Sequence, residues 1–267
     1  MTDSLAAALL DLQRLVERLR RDCPWDREQT ERTIVPHTVE EAYEVAEAAY
    51  AADSAKLVDE LGDLLYQTFF LSMLLEEKGL GSLEEVARSI HDKLVRRHPH
   101  VFGEAVALGS PGAVKKRWEE LKAEEGRQGV FHDVPGVLPA LSHARKVQRR
   151  SAAIGFEYPD LTGALADLED ELRELRETIA DSDEPRPETE PDERHFDEAG
   201  DVLFAAVNVA RRLNVDPELA LRRASERFVA RVEDAERMAA AEGHEFSTLP
   251  LDEQDRYFDR AKAEGRT

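Results

Sequence analysis

The chain has 267 residues, of which 42% are hydrophobic and 35% charged. That is enough apolar content to bury a core, so a disordered chain is excluded. Its 57 acidic residues against 36 basic ones give a formal charge of −21, which disfavours direct binding to long nucleic acid but leaves small phosphorylated ligands open, because divalent cations bridge carboxylates to phosphates.

In chain order, Leu5, Leu9, Leu12, Val16 and Leu19 step by four and three residues and predict an amphipathic first helix that stops at Cys23-Pro24-Trp25-Asp26. A second helix is expected from near Thr38, and a third from Ser54 to Gly79. A fourth opens at Ser82, with Glu85 in capping-box spacing, and ends before Pro99. Pro111 opens a fifth, with Val114, Trp118 and Leu121 on one side, and residues 126–139 carry the glycines and prolines of a linker. Residues 136–151 and 162–180 read as helices, and the acidic, proline-rich stretch 181–194 as an exposed loop. One further helix ends at Arg212, and another opens at Asp216-Pro217-Glu218 and passes Met238. No strand pattern of convincing length appears, few residues are aromatic, and the fold is expected to be all-α. Cys23 is the only cysteine, so no intrachain disulfide forms. No membrane-length apolar run or signal-peptide pattern appears, so a cytoplasmic protein without membrane contact is expected.

The chain repeats itself. VEEAYEVAEA (39–48) resembles LEDELRELRE (168–177), DELGDLLYQ (59–67) resembles DEAGDVLFA (197–205), and DKLVRRH (92–98) resembles ERFVARV (226–232), at offsets of 129, 138 and 134. Two copies of one helical unit are expected.

Each copy carries two acidic pairs. Glu41 and Glu44 are three apart on one helix, Glu60 and Asp63 on the next; the second copy offers Glu171 and Glu174, then Glu198 and Asp201. Spacing of three puts both members of a pair on one helix face. Antiparallel packing of the two helices would make four carboxylates converge, which is costly without a counter-cation, and hard oxygen donors suit Mg²⁺ or Mn²⁺. Gly62 and Gly200 sit at matched places inside the second helix of each pair, where glycine costs about 1 kcal/mol against alanine; a close approach of helix or ligand is the expected reason. The alternatives are a solvated acidic face, Glu41 capping Thr38, and a duplicated structural helix pair.

These acidic pairs, together with CPWDREQT (23–30), DKLVRRHPHVFG (92–103), WEELKAEE (118–125) and VPGVLPAL (134–141), resemble the MazG nucleoside triphosphate pyrophosphohydrolases, in the order of the two-domain bacterial form and over nearly the whole chain. The resemblance implies two tandem helical units, residues 1–125 and 126–267, that form helical bundles on dimerisation. It also implies Mg²⁺ and the cleavage of nucleoside triphosphates to monophosphate and pyrophosphate, with the C-terminal unit as the main catalytic one. Asp170 departs from the family's usual glutamate, at a position pointing away from the ligand pair. Glu174 and Glu198 lie 24 residues apart, against 16 for Glu44 and Glu60.

A triphosphate needs cations beyond the metal. Lys93 with Arg97, their counterparts Arg227 with Arg231, and Lys146 with Arg150 each lie four apart on one helix face; each is also compatible with a solubilising surface charge. Asn208, seven residues after Asp201, shares its face and offers an amide to a sugar or base, where the first copy has Phe70. Arg211 and Arg212 likewise replace Met73 and Leu74, which makes the second copy the more polar. Trp25, Phe156 and Phe258 are candidates to stack on a base, or are core residues. His37 and His195 read as helix-start residues. The expected chemistry is in-line attack of water at the α-phosphorus, with an unassigned carboxylate of the cluster as base. The rivals are a di-iron carboxylate bundle, disfavoured by the lack of E-x-x-H at the motif glutamates, and a non-enzymatic helical scaffold.

Overall fold

The computed structural model describes residues 2–103, 129–131, 134–180 and 192–265, with 110, 112, 114 and 117 as isolated positions. Every regular element among them is helical. The chain divides into two compact units, residues 1–118 and 119–267.

The first unit holds α1 (Thr2–Asp22), α2 (Pro24–Glu28), α3 (Glu31–Tyr50), α4 (Ser54–Glu77), α5 (Leu83–Arg97) and the single turn α6 (Pro99–Phe102). Helices α3 and α4 pack along their length, joined by residues 51–53, where Ala52 turns the chain in the left-handed region. Val16, Ile34, Phe69, Phe70 and Leu74 form the core, with Leu12, Met73 and Leu83 around it. Only the C-terminal half of the α1 stripe is covered; Leu5 and Leu9 are exposed. Helix α2 is fastened by Arg20, which donates to the carbonyls of Asp26 and Gln29 and forks onto Glu77 with two 2.8 Å bonds. Tyr66 of α4 completes the clamp by donating to Asp26 Oδ1 at 3.0 Å.

Helix α3 begins a full two turns before the expected Thr38. A reciprocal box caps it, with Thr33 N–H donating to Thr30 Oγ1 and Thr30 N–H to Thr33 Oγ1. Pro36 lies inside the helix and forgoes one rung of the ladder without ending it. Thr38 is therefore no cap, the reading of Glu41 as its capping partner falls, and His37 is interior rather than a helix start. The Ser82 cap of α5 is as expected, accepting from Glu85 N–H.

The second unit holds α7 (Ala140–Ala153), α8 (Leu161–Ala180), α9 (Glu193–Arg212), α10 (Pro217–Ala241), a 3₁₀ turn at Phe246–Thr248 and α11 (Leu251–Glu264). Helix α8 packs on α9, α7 on α9 and α10, and α10 on α11. Asp216 caps α10, accepting from the N–H groups of Glu218 and Leu219, and also takes a 2.5 Å bond from Arg145 of α7. Ala235, Ala239, Tyr257 and Ala261 form the α10–α11 contact; small side chains let the two backbones approach. Sequence periodicity did not signal α11, whose acidic and basic residues dilute its apolar stripe. His195 does stand in the first turn of α9. The predicted fifth helix falls, apart from Gly112, Val114 and Arg117, outside the described residues, as do residues 181–191 of the acidic stretch.

Candidate metal centre and adjoining pocket

The α3–α4 pair runs in a register that places Glu47 beside Lys56, Glu44 beside Glu60 and Glu41 beside Asp63. As one number falls the other rises, so the helices are antiparallel. One oxygen each of Glu41, Glu60 and Asp63 lies within 4.8 Å of the others, and Glu171, Glu198 and Asp201 form the same group on α8 and α9. The two groups match at offsets of 130, 138 and 138, so the offset of 129 drawn from the first sequence alignment is one residue short.

Each group gathers three of the four expected carboxylates. Glu44 instead hydrogen-bonds the buried carboxyl of Glu60. Glu174 is held by Arg173, which also pairs with Asp170 and Glu177. Burial raises the proton affinity of Glu171, and repulsion from Asp201, Glu174 and Asp167 raises it further. Glu41 behaves alike, through burial and then Asp63 and Glu44. At Glu60 burial and the bond to Glu44 raise the carboxyl while Lys56 opposes them. Groups built only of carboxylates, destabilised by their own charge, fit a hard divalent cation; neither contains the histidine of a di-iron site. A methyl group built on Gly62 or Gly200 meets nothing within 4 Å. Packing by the described residues therefore does not require these glycines, and the space beside the carboxylates is open.

Beside the second group lies a pocket of about 370 Å³, lined by Gln148, Phe156, Tyr158, Phe204, Asn208 and Arg211, with Asp167 at the end nearer Glu171. Along α9, Asp201, Phe204 and Asn208 recur at helical spacing, so pocket and carboxylates share one helix face. The loop after α7 turns through Gly155, at φ +89°, and three anchors hold it. Arg211 donates to Glu157 at 2.5 Å, Arg212 approaches Glu157 at 3.6 Å, and Tyr158 donates to Asp167 at 2.7 Å. A side chain at Gly163 would stand 2.9 Å from the Tyr158 ring, so glycine is needed there for α8 to pass. Asn208 Oδ1 accepts two bonds from Arg211.

The pocket thus joins Asn208 to Phe156, whose ring is 80% exposed. It does not include Phe258, which packs on Phe228 of α10 at 5.5 Å. Trp25, in the first unit, is half exposed with its edge towards His37. Arg227 is exposed and Arg231 half-buried on α10; Lys93 is exposed and Arg97 half-buried on α5. Lys146 is half-buried, but Arg150, expected as a phosphate contact, is buried and engaged, which also removes the alternative of a solubilising surface charge. Arg211 and Arg212 are spent on Glu157. Sequence reading passed over Glu157 as part of a loop and passed over Gln148 altogether. It also compared the copies only at Phe70, Met73 and Leu74 and their counterparts, and passed over Gln67, one turn beyond Asp63, which is a buried amide.

A model of the MazG nucleotide pyrophosphohydrolase domain matches residues 29–102, which carry the first carboxylate group. Over 262 residues the chain is 37% identical to the nucleoside triphosphate pyrophosphohydrolase/pyrophosphatase MazG of Thermotoga maritima, covering 96% of each chain. It is 38% identical over 259 residues to the nucleoside triphosphate pyrophosphohydrolase of Escherichia coli K12, covering 93% of this chain and 94% of that one. A protein of the same name from Mycolicibacterium smegmatis is 33% identical over 180 residues, 62% of this chain and 55% of its own. With an acidic helix-pair site in each unit and relatives matching from end to end, the chain belongs to the MazG family.

Proposed function

We propose that this chain hydrolyses nucleoside triphosphates to monophosphate and pyrophosphate, clearing excess or aberrant nucleotides in the cytoplasm, and that the α8–α9 site is the main catalytic centre. The observation that carries this reading is the triple Glu171, Glu198 and Asp201 on the same two helices that supply Asp167, Phe204 and Asn208 to a pocket of about 370 Å³. Mg²⁺, or Mn²⁺ in its place, would be held by this triple and would supply charge neutralisation of the triphosphate and a water of lowered pKa. Glu174 joins the set when Arg173 releases it. A carboxylate of the cluster accepts the proton of the attacking water. Arg227 and Arg231, with Lys146, stabilise charge on the phosphates, and Lys93 and Arg97 are their analogues in the first unit; Arg150, expected beside them, is buried and engaged within the unit. Asn208 and Phe156 hold the nucleoside. Phe258 is not among the residues lining this pocket and packs on Phe228, while Trp25, half exposed in the first unit, keeps its candidacy to stack on a base. The first triple, Glu41, Glu60 and Asp63 with Glu44, binds the same cation.

Two such chains form a homodimer in this reading. Leu61 and Leu65 on α4, and Leu203 and Phe204 on α9, are exposed on the helices that bear the carboxylates. Exposed large apolar side chains repeated on the same helices suit burial against a second chain. No helix among the described residues is long and apolar enough to cross a membrane. The test is pyrophosphate release from a panel of nucleoside triphosphates with Mg²⁺, Mn²⁺ or EDTA. Release of orthophosphate alone, or turnover unaffected by EDTA, would overturn the assignment. A light-scattering mass of one chain at micromolar concentration would overturn the dimer.

A further inference from the structure

The α8–α9 pocket contains a buried polar atom that the protein leaves unsatisfied. Gln148, on α7, is 6% exposed and lines the pocket. Its Nε2 donates to the carbonyl of Phe204 at 2.7 Å, while its Oε1 is shielded from water and has no hydrogen-bond partner. The orientation of the amide is decided by chemistry. Turning it over would set oxygen against the Phe204 carbonyl, acceptor against acceptor, so Oε1 is held as an acceptor without a donor. A buried acceptor left in this state is unfavourable, and a donor that enters relieves it.

Asn208 is fixed in the complementary sense. Its Oδ1 is taken by two bonds from Arg211, and Arg211 is itself locked onto Glu157, so the Nδ2 donor is turned away from Arg211. Phe204, whose carbonyl holds Gln148, stands one turn before Asn208 on α9. The two amides therefore flank a single helical turn, one as acceptor and one as donor. Phe204 and Phe156 supply flat apolar walls to the same pocket. Asn208 lies about 10 Å along the helix from Asp201, given 1.5 Å of rise per residue, comparable with the reach from an α-phosphorus across a sugar to its base.

We propose that Gln148 is a base-reading residue. A base that enters displaces the side chains covering Oε1, which then accepts an N–H from the base edge, while Asn208 Nδ2 donates to the neighbouring base acceptor. This rests on the reading of the α8–α9 site as a nucleotide site. Each of the four common bases carries a donor beside an acceptor on its pairing edge: the amino group and ring nitrogen of adenine and cytosine, the ring N–H and carbonyl of guanine and uracil. The pair therefore admits all four and rejects a base with no donor there.

The test compares ATP with purine riboside triphosphate, which keeps the ring nitrogens and lacks the amino group. It uses the full-length protein and the Gln148→Met variant. Methionine matches glutamine in length, and the Phe204 carbonyl keeps its helical N–H from Asn208, so the fold is retained; circular dichroism and melting check this. For the wild type, kcat/KM for the analogue should fall about 10- to 100-fold below that for ATP, mostly in KM, because a site built to hydrogen-bond a group rejects the analogue lacking it. In Gln148→Met, ATP should drop to the level of the analogue, and the analogue itself should barely change. Binding of AMP and purine riboside monophosphate, followed calorimetrically, should show the same pattern without turnover. Equal handling of ATP and the analogue by the wild type, or equal slowing of both by the variant, overturns the base-reading role. A penalty that falls instead on dATP and vanishes in Gln148→Met overturns it in favour of sugar reading. If no nucleoside triphosphate is hydrolysed at all, the activity assignment falls and the base assignment with it.

Discussion

The two carboxylate helix pairs share one scaffold and differ one step beyond it. In the first unit, the residue seven beyond the motif aspartate is Phe70, which is fully buried in the core. In the second unit that place holds Asn208, on the wall of an open pocket with Arg211 and Gln148. The first pair has a cation nearby, Lys56, which pairs with Glu47 and lowers the proton affinity of Glu60. In the second, the nearest arginine engagement is Arg173 on Glu174, which draws a carboxylate away from the triple. The same helix register can thus close on its own core or open on a ligand, according to what stands two turns past the metal site.

The largest effect expected from this contrast is on activity. Glu198→Gln should abolish triphosphate hydrolysis, with a loss of roughly a thousandfold or more, because it removes a ligand charge at a site where the cation carries the stabilisation. Glu60→Gln should leave most of the activity. Steady-state pyrophosphate release from both variants decides it, and the reverse pattern would exchange the roles of the units.

Next comes the anchor of the pocket. Arg211→Met strips the closer of two arginine partners from Glu157, whose side chain is 20% exposed, and should cost about 2 kcal/mol of stability, measured by urea titration. KM should rise with it, since Asn208 loses the bonds that orient its amide.

A smaller, pH-dependent effect belongs to Glu171. Its carboxyl is raised by burial and by its acidic neighbours, so without metal the folded state holds its proton more tightly than the unfolded state. Stability from this group is present below the ordinary glutamate range and is lost as pH rises through the raised value. Without metal, Glu171→Gln should melt higher than the wild type at neutral pH, and the two should converge in acid. Millimolar Mg²⁺ should raise the wild-type melting temperature, and this rise should shrink in the variant. A wild type indifferent to Mg²⁺ and to Mn²⁺ would remove the case for the metal centre.

The smallest effect concerns the clamp of the first unit, which the second does not reproduce. Tyr66 is shifted up by burial and by its bond to Asp26. Its folded value exceeds its unfolded one, so its contribution is complete below the ordinary tyrosine range and declines as pH climbs above it. Tyr66→Phe should cost about 1–2 kcal/mol near neutrality. It should also flatten the alkaline fall in stability between pH 9 and 11, followed by denaturant titration, with hydrolysis at the second site unchanged.

Much of this was legible before any coordinates. The helical periodicity, the caps at Ser82 and Asp216, and the acidic pairs at matched places follow from residue spacing, because a helix turns by a fixed angle per residue and a cap needs its side chain at a fixed offset. Placing the start of α3 near Thr38 overlooks the capping box at Thr30 and Thr33, and Pro36 inside the helix costs one rung without ending it. Spacing also cannot say which of four convergent carboxylates meet. Arg173, three after Asp170 and four before Glu177, draws Glu174 aside, and this competition exists only once the side chains are placed.

What the amino-acid order determined by itself is the duplicated acidic helix pair, and with it the class of cation it suits. Only the tertiary structure decided that Arg211 serves Glu157, that Phe258 and Phe156 belong to different places in the second unit, and that Gln148 is buried with an unsatisfied acceptor. Those properties depend on which distant groups share a low-dielectric space. Residues 148 and 204, or 157 and 211, are far apart along the chain, and no periodicity links them. Their hydrogen bonds and burial arise when α7, α8 and α9 pack, and that packing turns an ordinary glutamine into a group that calls for a ligand.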